Sequence, residues 1–166
     1  MPYMRLFIAS PVRLENYSKI RDDFKDIMEG KWVEEENLHL TWVFLGNVPD
    51  ERPVIKKMQK VSVPEREVTI AELGYFGRPP RVFFAKAEDR GLYATARTFK
   101  KAGFDLYRFK PHVTLCRIKE IYDYKRYKEV LKSYREKDLG HILPQITLYK
   151  SELSDKGPEY TSFYTL

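Results

Sequence analysis

Two segments in opposite halves of the chain repeat one pattern, and any fold must place them alike. Residues 39–46 read His-Leu-Thr-Trp-Val-Phe-Leu-Gly, and residues 112–117, starting 73 positions later, read His-Val-Thr-Leu-Cys-Arg. Both are short apolar runs of the kind that form strands. Residues i and i+2 of a strand share a face. His39 therefore projects with Thr41, and His112 with Thr114, while Leu40, Trp42, Val113 and Leu115 turn to apolar packing. Thr accounts for 8 of 166 residues and His for 3. Thr falls two places after two of three histidines in roughly 0.7% of shuffled sequences, so the pair calls for an explanation.

The rest of the chain alternates strand-like runs with amphipathic stretches. Tyr3–Ser10 reads as a strand ended by Pro11, and Val12–Met28 as a helix whose apolar residues recur from Tyr17 to Met28, with Gly30 as its stop. Leu38–Leu45 is a strand followed by a Gly46-Asn47 turn, and Val54–Val61 a shorter helix closed by Pro64. Glu67–Tyr75 and Arg81–Lys86 read as two strands joined through Gly77-Arg78-Pro79-Pro80. The series then repeats: a helical face from Leu92 to Ala102 capped by Gly103, a strand His112–Ile118, and a helix Tyr124–Tyr134. Strands Gln145–Leu153 and Tyr160–Thr165 end the chain around Gly157-Pro158. With few helices and no Gly-rich strand-to-helix loop, this order favours antiparallel α+β over a doubly wound sheet. It suggests an internal duplication whose halves meet near residue 85. A chain of this length is expected to form one domain, residues 1–166, without a disulfide staple.

Composition narrows the function classes. The apolar runs are far shorter than the roughly 18 residues of a membrane span, and the N-terminus carries no long apolar signal region, so a soluble, cytoplasmic protein without a membrane partner is expected. The single cysteine, Cys116, excludes an internal disulfide and a CxxC site. Residues 97–137 hold 13 Lys or Arg against 5 Asp or Glu, while the remainder holds 17 against 19. All the excess positive charge thus lies in one stretch, and such a field attracts phosphates or other polyanions. Three Asn and two Gln beside abundant Lys, Glu and Tyr fit a thermophilic source.

Two histidines across a cleft suit acid–base chemistry on a phosphodiester. An imidazole titrates near pH ~6.5, so one ring can accept a proton while the other donates. Opening a ring phosphodiester with water needs both acts. Each Thr hydroxyl can donate to a non-bridging phosphate oxygen, where charge builds up in the transition state. The one other histidine is His141, and neither HxH, HExxH nor a Cys/His cluster occurs, so no metal and no cofactor are expected.

The two HxT motifs, the second inside Pro111-His112-Val113-Thr114-Leu115-Cys116-Arg117, resemble those of the 2H phosphoesterases, specifically the RNA 2′,3′-cyclic phosphodiesterases formerly called 2′-5′ RNA ligases. The likeness extends to Arg5–Ala9 as the opening strand, to Phe109–Arg117, and to Ser151-Glu152-Leu153 with Gly157-Pro158-Glu159-Tyr160 as the closing hairpin. It implies two lobes of antiparallel sheet with pseudo-twofold symmetry, helices on the outer faces and a central cleft. It also implies hydrolysis of a terminal 2′,3′-cyclic phosphate to a 2′-phosphate. His39 takes the role of proton donor to the leaving 3′-oxygen and His112 that of proton acceptor from water, with Thr41 and Thr114 on phosphate oxygens. The implied partner is RNA with a 2′,3′-cyclic phosphate end, tRNA fragments among the candidates, and the protein is expected to act as a monomer.

The resemblance implies that Arg117 meets the substrate phosphate. Strict alternation sets it opposite His112 and Thr114, so a bulge, a strong twist or the strand's end has to bring it round. Lys110 and Arg108 are candidates for the RNA backbone, and Phe76, Tyr107 and Phe109 for stacking a terminal base. Alternation puts Cys116 on the His112 face, where a thiol nucleophile is conceivable but a small buried Cys is the commoner case. Two rival readings remain. One is a non-catalytic RNA-binding module, although no RNP1-like run is present. The other is a 2′-5′ RNA ligase that uses a 5′-hydroxyl in place of water.

Overall fold

In the computed structural model, which describes residues 3–166, the two HxT strands lie side by side at the centre of an antiparallel sheet system. Ten strands and four helices follow in the order β1 (Met4–Leu14), α1 (Tyr17–Phe24), β2 (Met28–Trp32), β3 (His39–Val48), α2 (Arg52–Met58), β4 (Val68–Ala71), β5 (Leu73–Phe76), β6 (Val82–Lys86), α3 (Arg90–Lys101), β7 (His112–Ile121), α4 (Tyr124–Ser133), β8 (Asp138–Ile142), β9 (Thr147–Ser154) and β10 (Gly157–Thr165). The main path is β10-β9-β1-β3-β7-β6-β5, with β2 on β7 and β8 bridging β1 and β4. Every registered pairing is antiparallel. This is the α+β, two-lobed arrangement expected, one lobe built on β3 and the other on β7.

Helices cover one face of the sheet. Phe99 of α3 stacks on Trp42 of β3 at 5.4 Å, and Phe24 of α1 packs against Phe83 of β6 at 4.7 Å and Tyr127 of α4 at 5.9 Å. Each side chain is buried in the core, where burial stabilises by roughly 1.5–3 kcal/mol per large apolar group. The opposite face carries His39, Thr41, His112 and Thr114, all half-buried. Asp89 and Asp123 start α3 and α4, their carboxylates accepting the backbone N–H of Gly91 and Arg126.

Several boundaries differ from those expected. The first strand passes through Pro11 to Leu14, because β1 changes partners there: Ala9 still pairs with β9, whereas Val12 pairs with β8. A proline's missing N–H is tolerated at such a junction. The helix expected over Val12–Met28 shrinks to Tyr17–Phe24, and Met28–Trp32 forms a strand on β7. Glu67–Tyr75 is two strands, broken at Glu72 with φ 70°. Gly46-Asn47 lies inside β3, and the final hairpin turns at Asp155-Lys156.

Candidate active site

The central strands meet at one registered pair, Leu40 opposite Val113. One step along the antiparallel count sets His39 opposite Thr114, and His112 opposite Thr41. The two histidines are then diagonal neighbours, a relation that on a sheet spans roughly 7–8 Å, and each faces the other strand's hydroxyl. This spacing leaves room for a phosphate between two imidazoles.

The rings are held alike. The Nδ1 of His39 lies 2.7 Å from the carbonyl of Asn37, and that of His112 lies 2.6 Å from the carbonyl of Lys110. A carbonyl only accepts, so both Nδ1 atoms carry the proton and both Nε2 atoms remain for chemistry. In each case the partner is the carbonyl two residues back, so the approach to the strand fixes the tautomer.

What surrounds the rings differs. His39 sits between Phe7 of β1, at 5.1 Å, and the edge of Tyr160 of β10, at 5.5 Å. Burial among these groups pushes its pKa below the usual imidazole value; the Asn37 carbonyl opposes the shift and the neighbouring His112 adds to it. His112 lies 5.4 Å from Phe84 and 4.9 Å from the edge of Phe76, with the Lys110 ammonium 5.9 Å from the Phe76 ring. Gly74 makes room for this side, since a Cβ there would come within 2.9 Å of the Phe84 ring.

The Arg117 difficulty has a structural answer. In β7, Thr114 pairs with Phe84 and Cys116 with Phe83, so Leu115 is an extra residue, a β-bulge. Leu115 and Cys116 both turn into the core, and Arg117 returns, exposed, to the face of His112 and Thr114. Its charge is felt by Tyr160, the tyrosine against His39, whose hydroxyl pKa burial raises and Arg117 lowers. The Leu115 carbonyl accepts from the Val33 N–H at 2.8 Å, which holds the bulge; the Tyr17 hydroxyl donates to the Val33 carbonyl at 2.6 Å, fixing that peptide, and lies 3.2 Å from the Leu115 carbonyl. The same device sits in β3, where Thr41 pairs with Ala9 and Val43 with Ile8, leaving Trp42 as the extra residue. Its indole donates to the Ser10 hydroxyl at 2.8 Å. Counted from each histidine, Phe44 is the counterpart of Arg117; it is 58% exposed, with the Arg5 guanidinium 5.1 Å from its ring.

Two expected placements change. Cys116 is fully buried on the core side, not on the His112 face, and burial pushes its thiol up to about 12. Phe109 is not in the cleft: its ring stacks on Trp42 at 5.4 Å and packs on the core. Phe76 and Lys110 do gather at His112, whereas Tyr107 points outward, 78% exposed, with Arg108 5.1 Å from its ring. His141 lies in β8 between Arg13 and Thr69. The basic stretch is spread over α3, β7 and α4, so only part of it borders the site. Missed from the sequence were Tyr160, one of twelve tyrosines, and Phe7 and Phe84, whose strand neighbours read as plain core. A useful signal was the position of Tyr160 two residues after Pro158, within the hairpin.

Among the described residues, no group of three or more His, Cys, Asp or Glu side chains comes together as a metal site, and no helix is long and apolar enough to cross a membrane. The model of the LigT-like phosphoesterase family matches residues 8–84. An Aquifex aeolicus protein named RNA 2′,3′-cyclic phosphodiesterase is 36% identical, over 93% of this chain and 90% of its own. A Methanocaldococcus jannaschii protein of the same name is 33% identical, over 95% and 96%. A crystal structure from Thermus thermophilus is 26% identical, with TM-score 0.73, covering 98% of this chain and 97% of that one. E. coli LigT complexed with ATP shares the fold at TM-score 0.71 and 23% identity, covering 100% and 98%.

Proposed function

The chain belongs to the LigT-like phosphoesterase family, and we propose that it hydrolyses the 2′,3′-cyclic phosphate end of RNA to a 2′-phosphate by two-histidine acid–base catalysis. The observation that carries this reading is the pair of imidazoles, each with Nδ1 tied to a carbonyl and Nε2 free, beside the partner strand's threonine. His112 takes a proton from water through Nε2 as the water oxygen bonds to phosphorus. His39 gives its proton to the 3′-oxygen as that P–O bond breaks. Thr41 and Thr114 donate to the non-bridging oxygens as their charge grows, and Arg117 neutralises the phosphate. Phe76 and Lys110 stand beside His112, where the terminal nucleoside would lie.

For His39 to donate, it must be protonated, which its buried setting opposes. An anionic phosphodiester between the rings supplies the compensating charge, so substrate binding favours the reactive form. The names of the relatives support RNA as the substrate class; tRNA fragments as its physiological form, a monomeric state and a cytoplasmic location are part of the same proposal.

The test incubates a short RNA ending in 2′,3′-cyclic phosphate with the protein in EDTA, beside His39→Ala and His112→Ala. The expected product is the 2′-phosphate, with kcat falling by roughly 10²–10⁴ in either variant. Wild-type rates in both variants would make the histidines structural and overturn the reading.

A further inference from the structure

Beyond Arg117 the sheet continues as a groove of which the chemistry uses only Arg117. Its volume is about 360 Å³, and it is lined by Glu29, Gly30 and Lys31 of β2 and by Arg117, Ile118 and Lys119 of β7. Lys31 is the cross-strand partner of Arg117, so both side chains leave the sheet on one face. Arg117 was turned to the cleft face by the Leu115 bulge, and Lys31 therefore stands on that face too. Two residues on, Lys119 is exposed on the same side, while Ile118 between them is buried. The strands come close here because Gly30 has no side chain: a Cβ would run into the Arg117 carbonyl and the Cys116 sulfur.

The charges along this groove are unequal. Among the described residues, neither Arg117 nor Lys31 has a carboxylate within salt-bridge distance. The one acid present, Glu29, is engaged by the Tyr122 hydroxyl at 2.6 Å and more loosely by Lys119 at 3.7 Å. Three cations against one occupied carboxylate line the groove, so a positive surface begins at the reacting phosphate and runs along β7 as far as Lys119, where Glu120, opposite Glu29, ends it. Arg117 and Lys119 are roughly 6.6 Å apart along the strand, of the order of one nucleotide step in an extended single strand. The corresponding end of β3 differs, offering the Phe44 ring with Arg5 over it.

We infer that the β2–β7 groove is a binding track for the RNA backbone 5′ of the cyclic end, with Lys31 and Lys119 holding the phosphates that precede the reactive one. The inference rests on the cyclic phosphodiesterase reading above and adds a length preference to it: an oligonucleotide engages the track, and a cyclic mononucleotide does not.

The test compares kcat/KM on a nucleoside 2′,3′-cyclic monophosphate with that on two-, three- and four-nucleotide RNAs ending in the same cyclic phosphate. Wild type is expected to favour the trinucleotide by about tenfold or more, through KM. The Lys31→Ala/Lys119→Ala double variant brings that ratio close to one, and Lys31→Arg/Lys119→Arg restores it. The log–log salt dependence for the trinucleotide becomes shallower by about 0.7 per lysine removed, the single-strand value. A wild-type ratio near one, or a full preference kept by the double alanine variant, overturns the track. If wild type turns over neither substrate, it is the phosphodiesterase reading that fails. Anisotropy with labelled 3′-phosphorylated oligonucleotides of the same lengths then decides the track: affinity that grows with length and is lost in the double variant supports it, and length-independent affinity overturns it.

Discussion

The side-chain amide of Asn37 donates to the carbonyl of Pro158 at 3.1 Å, joining the segment that precedes one catalytic strand to the final hairpin. The same residue's carbonyl accepts from the His39 ring. Asn37 thus couples the imidazole to the hairpin whose Tyr160 covers it. Asn37→Ala keeps the carbonyl and the tautomer but removes the tie. It should cost about 0.5–1.5 kcal/mol of stability, read from the urea midpoint, and lower kcat/KM by less than His39→Ala does. An unchanged midpoint together with an unchanged rate would show that the tie is idle.

The buried setting of His39 has a consequence for stability. Its folded pKa lies below the unfolded value near 6.5, so in the window beneath that value the unfolded chain binds more protons. Its contribution to stability is therefore complete above pH ~6.5 and is lost as pH falls through the folded pKa. Urea midpoints from pH 7.5 down to 5 should decline less steeply in His39→Ala than in wild type. Tyr160→Ala, which opens the ring to water, should move the His39 limb of the kcat/KM profile to higher pH. A limb that stays put would mean that Tyr160 does not set the ring's environment.

Arg117 owes its place to the Leu115 bulge, and the Val33 peptide that holds the bulge is itself tied by Tyr17. Arg117→Ala should lower kcat/KM by about ten- to a hundredfold, with Arg117→Lys recovering only part of it because the planar fork is lost. Tyr17→Phe removes the hydroxyl that donates to the Val33 carbonyl and should cost about 1 kcal/mol, while the Val33 N–H still holds the bulge. Denaturation with parallel kinetics measures both effects. An Arg117→Ala enzyme with wild-type kcat/KM would remove the guanidinium from the phosphate.

Cys116 is expected to be chemically silent. Its thiol is fully buried and held protonated, with a pKa of about 12. A thiol reagent at pH 8 should label it only after denaturation, and Cys116→Ala should retain turnover. Rapid labelling of the native protein, with loss of activity, would return the thiol to the list of nucleophiles.

Much of this was legible from residues alone, and the failures have physical causes. The HxT strands showed themselves by alternation, and α3 and α4 by their apolar spacing. The α1 helix was overdrawn because Ile27 and Met28 continue its i, i+3, i+4 spacing while belonging to a turn and a strand that face the same core. Strand β8, Asp-Leu-Gly-His-Ile, was missed because its polar residues and Gly140 read as loop. The positions of Cys116 and Arg117 were misjudged or left open for one reason. A period of two assumes an unbroken ladder, and the bulge that breaks it depends on Val33 and Tyr17, which lie far away in sequence. Phe109 was an aromatic beside the motif, and only tertiary packing shows it spent on Trp42.

The paired bulges have one more consequence. A frame with true twofold symmetry and identical corners would accept a cyclic phosphate in two orientations, related by half a turn, and either oxygen could then face either imidazole. At the sixth position of each motif the halves part company, with a phenyl ring at Phe44 and a guanidinium at Arg117. One corner attracts the anion and the other a flat apolar surface, so the two orientations differ in energy. By carrying both residues to the cleft face, the bulges give a symmetric cradle a polarity, and with it a reason for one ring oxygen to leave rather than the other.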